Sequence, residues 1–304
     1  MLAILAALVP VFLLIVLGHL LRRFRLVPDG FWPPAESLTY YLFFPALLLS
    51  STAKAPLQGS EALALAGAAA LATLGSAALV LLVRRGLGVD GPSFSSVVQG
   101  AIRPNTYIGL AGALALFGKP GVALAAICVA AVVPLVNLLS VMAMLRFAHP
   151  TRPGWAALVK PTLANPLIGA CLVGIALNLA GLGVPWGLSG LLDILGGAAL
   201  PVGLLAVGAG LDLSALARTG RPVLAASGLK LIALPLMALA LGRLFGLEAA
   251  PLGVLLLYTA LPCSASSYVL ARQMGGDAPL MANIISVQTV LAAAILPALL
   301  TLLL

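Results

Sequence analysis

Charged side chains are scarce in this 304-residue chain, making up 8 % of it, about a third of the ~25 % usual in a soluble domain. The 24 that exist cannot cover the core such a length would bury. Apolar residues make up 62 %, against roughly 45–50 % in soluble domains. A soluble enzyme and a disordered chain are excluded. Cysteine occurs three times, as Cys128, Cys171 and Cys263, each inside an apolar run, so no disulfide framework is implied. Histidine occurs only as His19 and His149, both expected at interfaces, and no cluster of metal ligands or cofactor motif is present. Alternating strands of about ten residues are also missing, which removes a membrane barrel.

What remains is an all-α polytopic membrane protein. At about 20 residues per span, the sequence holds ten. The first five are expected over 2–21, 36–53, 62–83, 93–117 and 122–146. The second five are expected over 161–180, 190–211, 222–244, 251–274 and 279–304. Residues 1–146 then form one five-helix half, 147–160 a short cytoplasmic connection and 161–304 the other half. The first run has no basic residue before it and no small-residue cleavage site, so it reads as a retained span.

The net charge of +8 lies between the apolar runs, as in cytoplasmic loops, so no nucleic-acid partner is expected. One set of alternate loops carries eleven Lys and Arg, from Arg22 to Arg272; the other carries Lys54, Lys119 and Arg243. That asymmetry predicts both termini outside an inner (plasma) membrane. Prolines recur between the halves: Pro10 and Pro166 lie 156 residues apart, as do Pro45 and Pro201, and Pro104 and Pro262 lie 158 apart. Two halves of five spans each must enter the bilayer in opposite senses, the inverted-repeat pattern of secondary transporters.

Two spans carry a proline at matching mid-membrane depth. One reads Ile102-Arg103-Pro104-Asn105-Thr106-Tyr107 and the other Leu261-Pro262-Cys263-Ser264. A proline removes a helix hydrogen bond and disfavours helical geometry in its predecessor. A plain kink is one reading. The other is a paired break whose half-helix amide ends converge on a pocket that suits an anion. Asn105, Thr106, Cys263 and Ser264 are then candidate binding residues beside the breaks at Pro104 and Pro262. Arg103 and Lys230 are cations inside spans; each either snorkels to an interface or faces a polar cavity. Asn137 and Gln288 either contact substrate or join helices. Asp193 reads as an acid within a span, a solvated helix-start carboxylate, and Asn165 and Asn178 read as structural.

The chain resembles the auxin efflux carrier family in its bacterial form. The likeness runs from Pro10-Val11-Phe12-Leu13-Leu14-Ile15 and Leu17-Gly18-His19 through Phe44-Pro45-Ala46, Pro104-Asn105-Thr106 and Asn165-Pro166. It continues through Pro201-Val202-Gly203 to Ala260-Leu261-Pro262 and Gly275-Gly276-Asp277. The resemblance implies two inverted five-helix repeats, with helices 1, 2, 6 and 7 as scaffold and helices 3–5 and 8–10 as a moving transport domain around two crossed helices. It further implies elevator-type transport of small organic anions (mono- or dicarboxylates, auxin-like acids), often in a homodimer. Asn105, Asn137 and Lys230 match family positions at the site. Bile-acid carriers of similar fold bind sodium with an acidic residue in the second crossed helix. None stands here, and the ammonium of Lys230 is expected to act as a built-in cation instead. An uncoupled anion channel or facilitator using the same cavity is the alternative. An intramembrane hydrolase would have only a Ser264–Lys230 pair to work with, so no enzymatic activity is expected.

Overall fold

The structure, a computed structural model, describes residues 2–54, 59–148, 166–184, 187–214 and 219–303. His149, Asn165 and most of the expected central connection lie outside the described residues. The first half comprises α1 (Leu2–Arg23), α2 (Trp32–Leu38), α3 (Phe44–Ala53), α4 (Gly59–Leu87), α5 (Gly91–Ile102) and α6 (Thr106–Phe147). The second comprises α7 (Pro166–Leu179), α8 (Leu188–Ala209), α9 (Arg221–Gly228), α10 (Leu234–Leu244), α11 (Ala249–Thr259), α12 (Ser266–Gln273) and α13 (Ala278–Leu303).

Among the described residues six helices are long and apolar enough to cross a bilayer: Ile4–Arg23, Glu61–Leu87, Thr106–Phe147, Leu188–Ala209, Arg221–Leu244 and Ala278–Leu303. Pro166–Leu179 and Ala249–Thr259 are shorter apolar helices. This is a multi-pass helical membrane protein, because only internally bonded backbone survives in lipid. Seven hydroxyls, among them Thr39, Thr52, Thr73 and Thr259, bond the carbonyl four residues back in their own helix. That removes the cost of an unpaired polar group in hydrocarbon.

The expected fourth and fifth spans differ from simple rods. The fourth is broken between α5 and α6. The 42 residues of α6 rise about 63 Å at 1.5 Å each, twice the hydrocarbon thickness. They accordingly form two legs, turned at Gly118, whose φ of 64° favours glycine, with Pro120 two residues on. Two π-turns, Thr39–Phe43 and Leu229–Ala233, each stand two residues before a proline, Pro45 and Pro235. The wider turn relieves the clash between the proline ring and the preceding turn. One of them carries Tyr40 and Tyr41, the other Lys230.

Packing divides the helices into two groups. In one, α1 lies on α8 and α3 on α7 and α8. A Cβ on Gly18 would collide with the Leu205 backbone, and one on Gly208 with the Ile15 carbonyl, so α1 and α8 meet backbone to backbone. In the other, α4 packs on α5, α10 and α11, α10 packs on α11, and α4, α5 and α11 pack on α6, which also touches the first group.

Asp193 keeps its expected solvated state, with 55 % of its side chain exposed, and is paired as well. Lys54 Nζ donates to both of its oxygens at 2.9 Å and Ser50 Oγ to one at 2.7 Å, tying α8 to α3. The pair forms because Lys54 sits at the end of α3 beside α8, a placement no local pattern reveals. Asn178 is structural, its Nδ2 donating to the Ala53 carbonyl. The Gly275-Gly276-Asp277 stretch is structural too. Gly275 has φ 70°, and Asp277 caps α13 by accepting from Leu280 N while Ser93 Oγ donates to it from α5.

Candidate functional site

The helix α5 ends at Arg103, whose extended ψ of 118° is what a residue preceding proline prefers. The chain then passes through Pro104 and re-enters a helix at Thr106. In the second half α11 ends at Thr259, passes Pro262, and helix resumes at Ser266. The two interruptions meet. Pro104 and Cys263 form an antiparallel bridge, and the Asn105 amide donates to the Pro262 carbonyl at 2.8 Å.

The frayed helix ends are bonded by side chains from outside. At the end of α5, the Gly100 carbonyl accepts from Gln288 Nε2 at 3.0 Å and the Ala101 carbonyl from Ser76 Oγ at 3.0 Å. At the end of α11, the Thr259 carbonyl accepts from Lys230 Nζ at 2.9 Å. An ammonium at a helix C-terminus also favours the dipole. Gln288 reaches both breaks, since its Oε1 accepts from the Cys263 amide at 2.8 Å. Between its two expected roles, Gln288 therefore joins helices.

Asn105 caps α6. Its Oδ1 accepts from the amides of Tyr107 and Ile108 at 3.1 and 3.3 Å. Those amides are thus occupied, which corrects the expectation of a free half-helix end. What remains is the Asn105 Nδ2, buried and without a partner. Arg103 is 8 % exposed rather than snorkelled. Its Nη2 donates to Ser266 Oγ at 3.0 Å, while Nε and Nη1 have no partner. The break thus holds more donors than acceptors, and buried donors without partners are rare.

Beside the bridge lies a cavity of about 480 Å³. Arg103, Pro104, Asn105, Thr106 and Tyr107 line it from the first break, and Ser264 and Ser266 from the second. Asn137 lines it from the far leg of α6, together with Val133 and Val136. Sequence reasoning missed Glu36, Tyr40, Tyr41, Tyr107 and Ser266, which also line it. Glu36, Tyr40 and Phe44 recur every four residues, a spacing that marks one helix face. Tyr107 stacks on Phe44 at 4.3 Å between ring centroids and 9° between planes. A larger hollow of about 620 Å³ lies at the end of α4 near Arg84 and Arg85. It is remote from the breaks, and the Arg84 guanidinium is stacked on Phe147 at 4.4 Å.

Of the expected site residues, the cavity unites Arg103, Asn105, Thr106, Asn137 and Ser264. Lys230 and Cys263 are buried but do not line it. The Lys230 ammonium is bonded to the Thr259 carbonyl. Among the described residues no three of His, Cys, Asp and Glu gather as a metal would require.

Two comparisons bear on identity. The family described as "Membrane transport protein" matches residues 155–300. An "Uncharacterized transporter" of Methanothermobacter thermautotrophicus is 24 % identical over 291 residues, 94 % of each chain. The resemblance to the auxin efflux carrier family holds. The matched residues 155–300 contain the second break, Gln288 and Lys230. Both findings point to transport.

Proposed function

We propose that the chain is a secondary transporter of small organic anions, working by elevator-type alternating access with substrate at the paired breaks. In this reading ten spans form two inverted five-helix repeats. Helices 1, 2, 6 and 7 form the scaffold and the other six move, the protein is a homodimer, and both termini lie outside the inner membrane. The grouping of α1, α3, α7 and α8 apart from α4, α5, α10 and α11 supports that division.

One observation carries the anion assignment: the unpartnered nitrogens of Arg103 and Asn105 belong to residues lining the cavity at the break. Hydrogen bonds to a charged acceptor contribute about 1.5–3 kcal/mol, so Arg103→Gln should weaken anion binding by about ten- to a hundredfold. The test is counterflow in proteoliposomes with labelled carboxylates. Saturable exchange that needs about ten- to a hundredfold more substrate in Arg103→Gln supports the reading. Conduction without saturable exchange favours a channel, and no response to any organic anion overturns the assignment.

A further inference from the structure

The cavity has a second charged wall. Glu36 lines it from α2, and the carboxylate forms no hydrogen bond and no ion pair among the described residues. Arg22, the base at the neighbouring end of α1, is engaged elsewhere. Its Nε donates to Asp29 at 3.0 Å and its Nη1 to the Ala209 carbonyl at 2.7 Å. Arg103 is bonded to Ser266 and not to Glu36. One cavity is therefore lined by Arg103, two of whose buried nitrogens lack a partner, and by the Glu36 carboxylate, which the Arg22 charge reaches without a bond. Val133, Val136, Val207 and Leu270 give it an aliphatic side, while Tyr40, Tyr41, Tyr107 and Asn137 also line it.

An anion whose carboxylate meets Arg103 and Asn105 lays its body along these valines. A second carboxylate on that body would share a 480 Å³ space with Glu36, where repulsion between like charges exceeds its value in water. We propose that Glu36 sets the charge rule of this site: it admits monocarboxylates with an apolar body and turns away dicarboxylates. Discrimination of this kind comes from a built-in repulsive element rather than from an added attraction. The inference rests on the organic-anion reading of the same cavity and adds a specificity residue to it.

The experiment is a binding titration on the purified full chain, comparing hexanoate and octanoate with adipate and suberate. In the unmodified protein the monocarboxylates should bind at least about tenfold more tightly. Glu36→Gln should shrink that ratio at least about fivefold, and Glu36→Asp, which keeps the charge, should preserve it. Glu36→Ala is carried alongside and held to the same ratio as Glu36→Gln. A ratio unmoved in the Gln and Ala variants, or an unmodified protein that prefers the dicarboxylates, overturns the charge rule while leaving anion binding intact. Failure of all four acids to bind the unmodified protein brings down the organic-anion reading itself, and the charge rule with it.

Discussion

The amide of Asn105 donates to the carbonyl of Pro262 at 2.8 Å, so the two proline breaks, 158 residues apart in sequence, are joined directly by backbone. Each proline deprives its own helix of a bond, and each broken segment supplies part of what the other lacks.

Gln288 is the side chain that bonds to both breaks, through the Gly100 carbonyl and the Cys263 amide. Gln288→Leu leaves a buried donor and a buried acceptor without partners, at about 1–3 kcal/mol each. Thermal unfolding in detergent should show a clearly lowered midpoint. Gln288→Glu keeps the acceptor for Cys263 and should fall between the two.

Asn105 has separable jobs. Its oxygen caps α6 and its nitrogen is unpartnered. Asn105→Asp keeps a capping oxygen but replaces the donor with negative charge, so the fold should persist while carboxylate affinity drops more than about tenfold. Asn105→Ala should lose about 1 kcal/mol of stability as well. Equal affinity in the Asp variant and the unmodified protein would show that the nitrogen plays no part in binding.

Lys230 places a buried ammonium against the last carbonyl of α11. On the proposed reading this ammonium takes the place of a metal ion beside the second break. Uptake into proteoliposomes should therefore be the same in sodium and in choline media. Steep dependence on sodium would count against this role. Lys230→Met should reduce stability by about 1–3 kcal/mol, because the Thr259 carbonyl loses its donor.

Asp90 caps α5 from outside the spans, its carboxylate accepting from the Ser93 amide at 2.9 Å. Ser93, through its side chain close by and its backbone amide, holds this carboxyl below the usual aspartate range. A carboxyl whose folded pKa is depressed contributes stability above its unfolded value of about 3.9 and loses it as pH falls through the folded value. Melting followed downward from neutral pH should show that loss, and Asp90→Asn should flatten this part of the profile. An unchanged slope in the variant would remove Asp90 as its source.

Part of this site was legible along the chain. Pro104 and Pro262 announced interruptions because proline has no amide to donate, and Arg103 announced a polar surrounding because a guanidinium is costly in lipid. Glu36 escaped notice because it opens its span, where a carboxylate is unremarkable. Asp193 was legible as a charge near a helix start, but its bond to Lys54 arises from the packing of α3 on α8.

Composition alone settled that the chain lives in a bilayer as helices, because 8 % charge cannot face water around so large an apolar content. The positions of Pro104 and Pro262 marked where two of those helices would kink or break. Tertiary packing decided which polar groups hold the protein together and which line the cavity. Gln288 and Asn137 are both amides in apolar spans, yet one is bonded to two broken segments and the other faces the hollow. Lys230 and Arg103 divide the same way. The reason is rotational: a span hydrophobic all round carries no stripe to say which face meets a neighbour, so orientation is fixed only when the helices pack.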